Sequence, residues 1–259
     1  MSGDNTLDST GRRTFLRAVG AGTATGVVVT GTGCTLNGDR LDAQLGEVTD
    51  ATSEYSDPRA ALDAGFQVMG PFVAGMGWHF INQDRVRAAV EDGFTPTEPQ
   101  LLTYGDTGEG LEGLKLGSVE YAIPLGARDY TEENPPDLFD DEDEETWHLH
   151  SGAEHVLAVR GDPASEKFPE SIGDVPPAER VRSTHWMEVA PGGSPDEPMF
   201  EPKTMLVGDL RTDGVTDARA VVDSSTHPDL LTLHAWVHHD NPDGVLAGHN
   251  PDLPSSPTP

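Results

Sequence analysis

The chain has 259 residues, 45 of them acidic and 16 basic, for a formal net charge of −29 with histidine counted neutral. Such a surface repels nucleic acid and anionic lipid headgroups, so no nucleic-acid partner is expected. A lone cysteine excludes an internal disulfide framework, and lysine occurs only at Lys115, Lys167 and Lys203, a bias that reads as haloadaptation with salt screening the self-repulsion.

At the N-terminus, GRRTFLRAVG (Gly11 to Gly20) sets Arg12 and Arg13 before a Phe-Leu pair and a small-residue apolar stretch. It resembles a twin-arginine (Tat) export signal. The run from Ala18 to Gly33 is glycine-rich and falls short of the ~20 strongly apolar residues that a spanning helix needs. It ends in TGTGC, which resembles a lipobox and implies a lipid on Cys34 that holds the protein to the outer face of the membrane. Gly11 stands where Ser or Thr normally precedes the arginines, and Gly31 where the lipobox prefers an aliphatic residue. Cleavage after residue 33 removes Arg12, Arg13, Arg17, Asp4 and Asp8, leaving 226 residues with a net charge of −30. That length suits one domain.

Residues 34–56 are polar and aperiodic and are expected to be a flexible tether. Two short helices are predicted next. DPRAALDAGFQVM has Asp57 as N-cap and Pro58 at the first helical position. NQDRVRAAVEDG has Asn82 as cap and Gly93 as stop. Strand patterns follow: PQLLTYG and LKLGSVEYAIP form a hairpin across the Gly-rich DTGEGLEG, and TWHLH, EHVLAVRG, STHWMEVA, KTMLVGDL, ARAVVD and LLTLHAWVHH continue the series. Strands and helices do not alternate, so the predicted fold is α+β: two short N-terminal helices, then a mainly antiparallel β-sheet or a partly closed barrel. The globular domain is expected to span 57–254, followed by a tail at 255–259. Ten of the seventeen residues from Asp129 to Glu145 are acidic; they fit no EF-hand spacing and read as a solvated loop.

The histidines are the chemically informative residues. On a strand, His148 and His150 of TWHLH share a face about 7 Å apart, close enough to reach one metal. The segment HLHSGAEHVLAVRG, with Glu154 and Gly161, resembles the first cupin motif, which implies a metalloenzyme site at His148, His150 and Glu154. The glycine expected six positions before His148 is Glu142, and PDGVLAGHN is a poor second motif.

Leu231 to Pro251 holds four of the ten histidines. On a strand from Leu230 to His239, His234 and His238 lie about 14 Å apart, too far to chelate one ion together, although either can meet a ligand from a neighbouring strand. GMGWHFIN (Gly75 to Asn82), PQLLTYG, VEYAIP (Val119 to Pro124) and LHAWVHHDNPDGVLAGHNP together resemble a family of small exported proteins with the pattern GMGxHxxN, EYxxP and LHxWxxxxNPxGxxxxxNP. That family has no established activity, so the resemblance implies an architecture and no reaction. Its His79, Glu120 and His234 form a ligand set sufficient for one divalent transition metal, zinc or copper, with Met76 a nearby soft donor.

The chain carries no G-x-S-x-G, no P-loop and no dinucleotide fingerprint, which argues against triad hydrolysis and nucleotide chemistry. The expectation is an exported, lipid-anchored module binding a metal or small ligand. The alternatives are a cupin-like metalloenzyme and a structural surface protein.

Overall fold

The computed structural model describes residues 36–139, 145–159, 166, 169, 172–181, 186–191 and 220–255. Arg12, Arg13, Cys34, the expected strand at 203–210 and residues 140–144 of the acidic run lie outside the described residues.

The expected tether is instead largely a helix, α1 (Leu36–Thr52). Leu41, Leu45 and Val48 recur at helical spacing and all are buried in the core. The stripe is only three residues wide and is diluted by Gly46 and the acidic Asp42, Glu47 and Asp50, which is why composition hides it. A 3-10 turn (Ser53–Ser56) then buries Tyr55.

Helix α2 (Pro58–Asp63) starts as predicted, with the Asp57 carboxylate accepting from the Arg59 N–H and Pro58 in the first turn. It is shorter than expected, because Gly65 turns the backbone at φ 91° and the chain then enters β1 (Gln67–Val68). After β2 (Trp78–Ile81) comes α3 (Gln83–Asp92), capped by the Asn82 side chain and stopped at Gly93, where φ is 97°. Strands β3 (Leu101–Asp106) and β4 (Leu114–Pro124) form the expected hairpin. Then follow β5 (His148–His150), β6 (Ala153–Val159), the short helix α4 (Pro177–Val181), β7 (Trp186–Pro191), β8 (Ala220–His227) and β9 (Leu230–Ala235).

The described strands make two antiparallel sheets, one of six strands ordered β1-β2-β3-β4-β9-β5 and one of three ordered β7-β6-β8. The fold is therefore α+β and mainly antiparallel. Among the described residues its large sheet is open, with β1 and β5 as edges, and no barrel forms.

Alternation divides the large sheet into two unlike faces. One carries Trp78, Phe80, Leu102, Tyr121 and Leu233, buried in the same core as α1 and Tyr55. Phe80 and Tyr104 pack with ring centres 4.6 Å apart, and the Tyr104 hydroxyl donates to the Tyr55 carbonyl at 2.6 Å. The opposite face carries a polar row. His79 pairs with Thr103, Thr103 with Ser118, Glu120 with His234, and His148 with Thr232.

The second sheet is a continuation of the first around a corner. Between β5 and β6 lie only Ser151 and Gly152, and between β8 and β9 only Pro228 and Asp229. Since β5 pairs with β9 and β6 with β8, the four strands form one two-stranded ribbon that bends at these dipeptides. Asp229 pins the bend, its carboxylate accepting from the Gly152 N–H at 2.6 Å and its carbonyl from the Leu125 N–H at 2.8 Å.

Burial of α1 predicts that Leu45→Ala lowers stability by ~2–5 kcal/mol in thermal or urea unfolding. A flexible tether would leave the melting curve unchanged.

Candidate metal site

The corner gathers imidazoles from three strands. His150 ends β5, His155 lies near the start of β6, and His227 ends β8. One ligating atom from each lies within 4.8 Å of the other two. The approach of His155 and His227 follows from register: Ala153 pairs with His227, and His155, two residues on, shares its face. The Nε2 atoms of these two residues are 3.0 Å apart.

Hydrogen bonding fixes how His227 presents itself. Its Nδ1 lies 2.8 Å from the Pro228 carbonyl, which can only accept, so Nδ1 carries the proton and Nε2 turns a lone pair toward His155. A hydrogen bond from the other ring nitrogen to a carbonyl is what commonly orients a metal-ligating histidine. Gly70 gives His155 its space, since a Cβ there would stand 3.2 Å from the ring and the local φ is 80°.

The three histidines line a cavity of about 70 Å³ together with His79 and Glu120 of the large sheet and the apolar Met69, Val73, Ile81 and Leu101. A water molecule takes ~10–15 Å³ by this kind of measure, so there is room for an ion with a few waters or a small anion. Among the described residues, Glu120 is the only carboxylate in that lining. The group could hold a metal ion.

The residues expected from sequence, His79, Glu120 and His234, also converge. Glu120 is 2% exposed and His234 1%, and the carboxylate stands between the two imidazoles. Oε2 is 3.5 Å from His79 Nε2, and Oε1 is 3.8 Å from His234 Nε2. At these lengths neither contact is a hydrogen bond. His79 Nε2, Glu120 Oε2 and His234 Nε2 are all buried without a hydrogen-bond partner. By contrast, His234 Nδ1 is held by Ser118 Oγ at 3.2 Å, and its ring is stacked between His148 and Trp236.

The other expectations separate. His148 and His150 share a face as predicted, but His148 is used structurally, its Nδ1 donating to the Thr146 carbonyl and its Nε2 accepting from the Thr232 hydroxyl at 3.0 Å. Glu154 alternates to the face of β6 opposite His155, so the set His148, His150 and Glu154 is not assembled at the cavity. Strand β9 ends at Ala235, and His238 turns away to the Thr52 hydroxyl at 2.8 Å. Met76 is buried outside the cavity, whereas Met69 lines it. His155 and His227 were missed because their partnership depends on the β6–β8 register, which no local pattern announces.

Burial dominates the electrostatics. It pushes the Glu120 carboxyl up to about 8, and it drives His79 and His155 down to about 3, with neighbouring imidazoles adding to the effect. His227 and His234 are lowered for the same reason. Glu120 and its two histidines therefore face one another as neutral groups rather than as ion pairs.

No protein-family model, curated protein or solved structure matches this chain.

A pH dependence follows for the metal-free protein. Between the unperturbed 4.5 and about 8, folded Glu120 keeps a proton that the unfolded chain releases, so its contribution to stability falls as pH rises through that window. His79 and His155 act in the opposite sense, their contribution falling as pH drops from 6.5 toward 3. Glu120→Gln is expected to flatten the decline in melting temperature from roughly pH 6 to 8.5 while leaving the acid limb in place. Parallel alkaline limbs in wild type and variant would contradict the assignment.

Proposed function

We propose that the protein is an exported, lipid-anchored surface module that binds a divalent transition ion through His150, His155 and His227. The observation that carries this reading is the close approach of three imidazole nitrogens at the cavity, with the His227 tautomer held by Pro228 so that its lone pair faces inward. Imidazole suits zinc and copper over hard cations, and three protein ligands leave a position open for water or a small ligand. The Met69 side chain at the same cavity adds a soft donor that favours copper. His150 and His155 are only partly buried, which gives an ion a way in. The export signal and the lipid on Cys34 rest on the twin arginines Arg12 and Arg13 and on TGTGC, and the acidic composition supports work in high salt.

Tag-free protein, stripped of metal and reconstituted in high salt, is expected to take up zinc or copper by mass spectrometry and titration. Replacing His150 and His227 by alanine should weaken uptake at this position at least ~100-fold, since a single remaining imidazole no longer chelates. His148→Ala, which removes a structural contact, should leave the affinity within a few fold. A wild-type protein that binds none of Zn, Cu, Fe, Mn or Ni would sink the reading.

For the address, Arg12→Lys with Arg13→Lys is expected to leave uncleaved precursor inside an expressing cell, and Cys34→Ser to abolish labelling by a fatty-acid analogue. Normal export of the double-lysine variant would overturn the twin-arginine assignment.

A further inference from the structure

We propose that the cavity seats a small carboxylate, of the size of formate or acetate, between the ion at His150, His155 and His227 and the carboxyl group of Glu120. The proposal rests on the metal-binding reading above and names the ligand class of that same site.

Size is the first constraint. The cavity measures about 70 Å³. An apolar cavity of ~150 Å³ encloses a benzene ring, so this one takes about half as many heavy atoms, roughly three or four. Formate and acetate fall in that range, whereas a sugar or a nucleotide does not.

The second constraint is the set of side-chain polar atoms that a ligand can reach. Besides the three imidazoles, the lining offers Glu120 Oε2 and His79 Nε2, both buried without a hydrogen-bond partner. They stand 3.5 Å apart, too far to satisfy each other. The Thr232 hydroxyl is already engaged with His148, and the walls at Met69, Val73, Ile81 and Leu101 donate nothing. Buried polar atoms without partners are costly, so two of them at the edge of a cavity mark where a ligand atom completes the bonding. The two polar regions are neighbours, since His150 and His227 add to the burial that lowers His79.

Charge is the third constraint. A divalent ion held by three neutral imidazoles keeps its full charge and calls for an anion. Among the described residues the lining has no lysine or arginine to hold phosphate or sulfate. A single carboxylate answers both polar regions at once. One of its oxygens takes the open position on the ion, and the other shares one proton with the Glu120 carboxyl, with His79 Nε2 beside it. A halide would offset the ion and leave Glu120 Oε2 unpaired.

The test loads tag-free protein with copper in salt of fixed composition, counts copper per chain by mass spectrometry, and titrates in acetate while following the copper absorption spectrum. Acetate is expected to shift the wild-type spectrum with saturation. Glu120→Leu, which keeps the volume and loses the hydrogen bond, is expected to bind the same copper and to weaken acetate at least ~10-fold, whereas Glu120→Gln, whose amide still donates, stays within a few fold of wild type. An acetate affinity unchanged in copper-loaded Glu120→Leu overturns the proposal and leaves the metal-binding reading standing. Copper lost from a Glu120→Leu protein that is folded by circular dichroism overturns it too, because Glu120 is then a ligand of the ion. No copper in the wild type overturns the proposal, and no zinc either sinks the metal-binding reading with it. Because a variant at a buried strand position can fail to fold, size gives a second readout on wild type alone. Formate and acetate are expected to shift the spectrum and benzoate to leave it unchanged, while benzoate binding as tightly as acetate overturns the enclosed seat.

Discussion

The pairing of Glu120 on β4 with His234 on β9 fixes where the polar atoms of the large sheet come to lie. Every directly paired set of residues shares a face, so once these two are opposite, His79, Thr103, Ser118, Thr232, His148 and His150 must join them. A slip of one residue would send the carboxylate and imidazoles into the aromatic core around Phe80 and Tyr121, where nothing could solvate them. The apolar side thus sets the register, and the register assembles the polar side. On that side the hydroxyls of Thr103, Ser118 and Thr232 each find a partner, whereas the inward atoms of His79, Glu120 and His234 do not.

That remainder separates architecture from chemistry among the residues of the segments GMGWHFIN, VEYAIP and LHAWVHHDNPDGVLAGHNP. Gly77 is dictated by the backbone, with a φ of 95° and a space in which a Cβ would stand 2.3 Å from the Tyr104 carbonyl. Trp78 donates to Asp106 at 2.8 Å, and Trp236 donates to the Ala247 carbonyl. Asn82 caps α3 and Asn241 bonds its own turn. The Asn250 N–H reaches the Gly75 carbonyl at 2.8 Å, tying the last motif to the first. Each of these residues is explained by a contact it makes. For His79, Glu120 and His234 the contacts account for part only: Ser118 and two stacked rings hold His234, whereas His79 Nε2, Glu120 Oε2 and His234 Nε2 are buried without a hydrogen-bond partner.

Local rules made much of the fold legible. Asp57 and Asn82 announce helix starts by their capping chemistry, Gly93 announces an end, and the β3–β4 hairpin follows from alternation around a glycine-rich turn. What was hidden depends on long-range contact. Helix α1 has a three-residue stripe that gains meaning only against the core it covers. Glu145 reads as one more member of an acidic run, yet it is half-buried and accepts from the backbone of Leu138 and from the Trp147 indole. The corner site is the extreme case. His150, His155 and His227 are brought together by a ribbon bent at two dipeptides, and neither the bend nor the β6–β8 register leaves a periodic trace.

The contrast between surface and cavity bears on selectivity. A chain with net charge −29 draws cations of every kind toward itself, but salt screens that attraction within about 10 Å at ~0.1 M and more tightly above it. Steering by net charge does not distinguish a scarce transition ion from abundant sodium or magnesium. The cavity works on a different principle. Burial keeps its imidazoles neutral and holds the Glu120 proton to about 8, so the site carries little charge of its own. Hard cations gain little by exchanging water for neutral nitrogen, so a donor set of imidazoles would favour zinc or copper over sodium and magnesium. On this reading the acidic exterior serves solubility, and discrimination comes from a donor set that burial has stripped of charge.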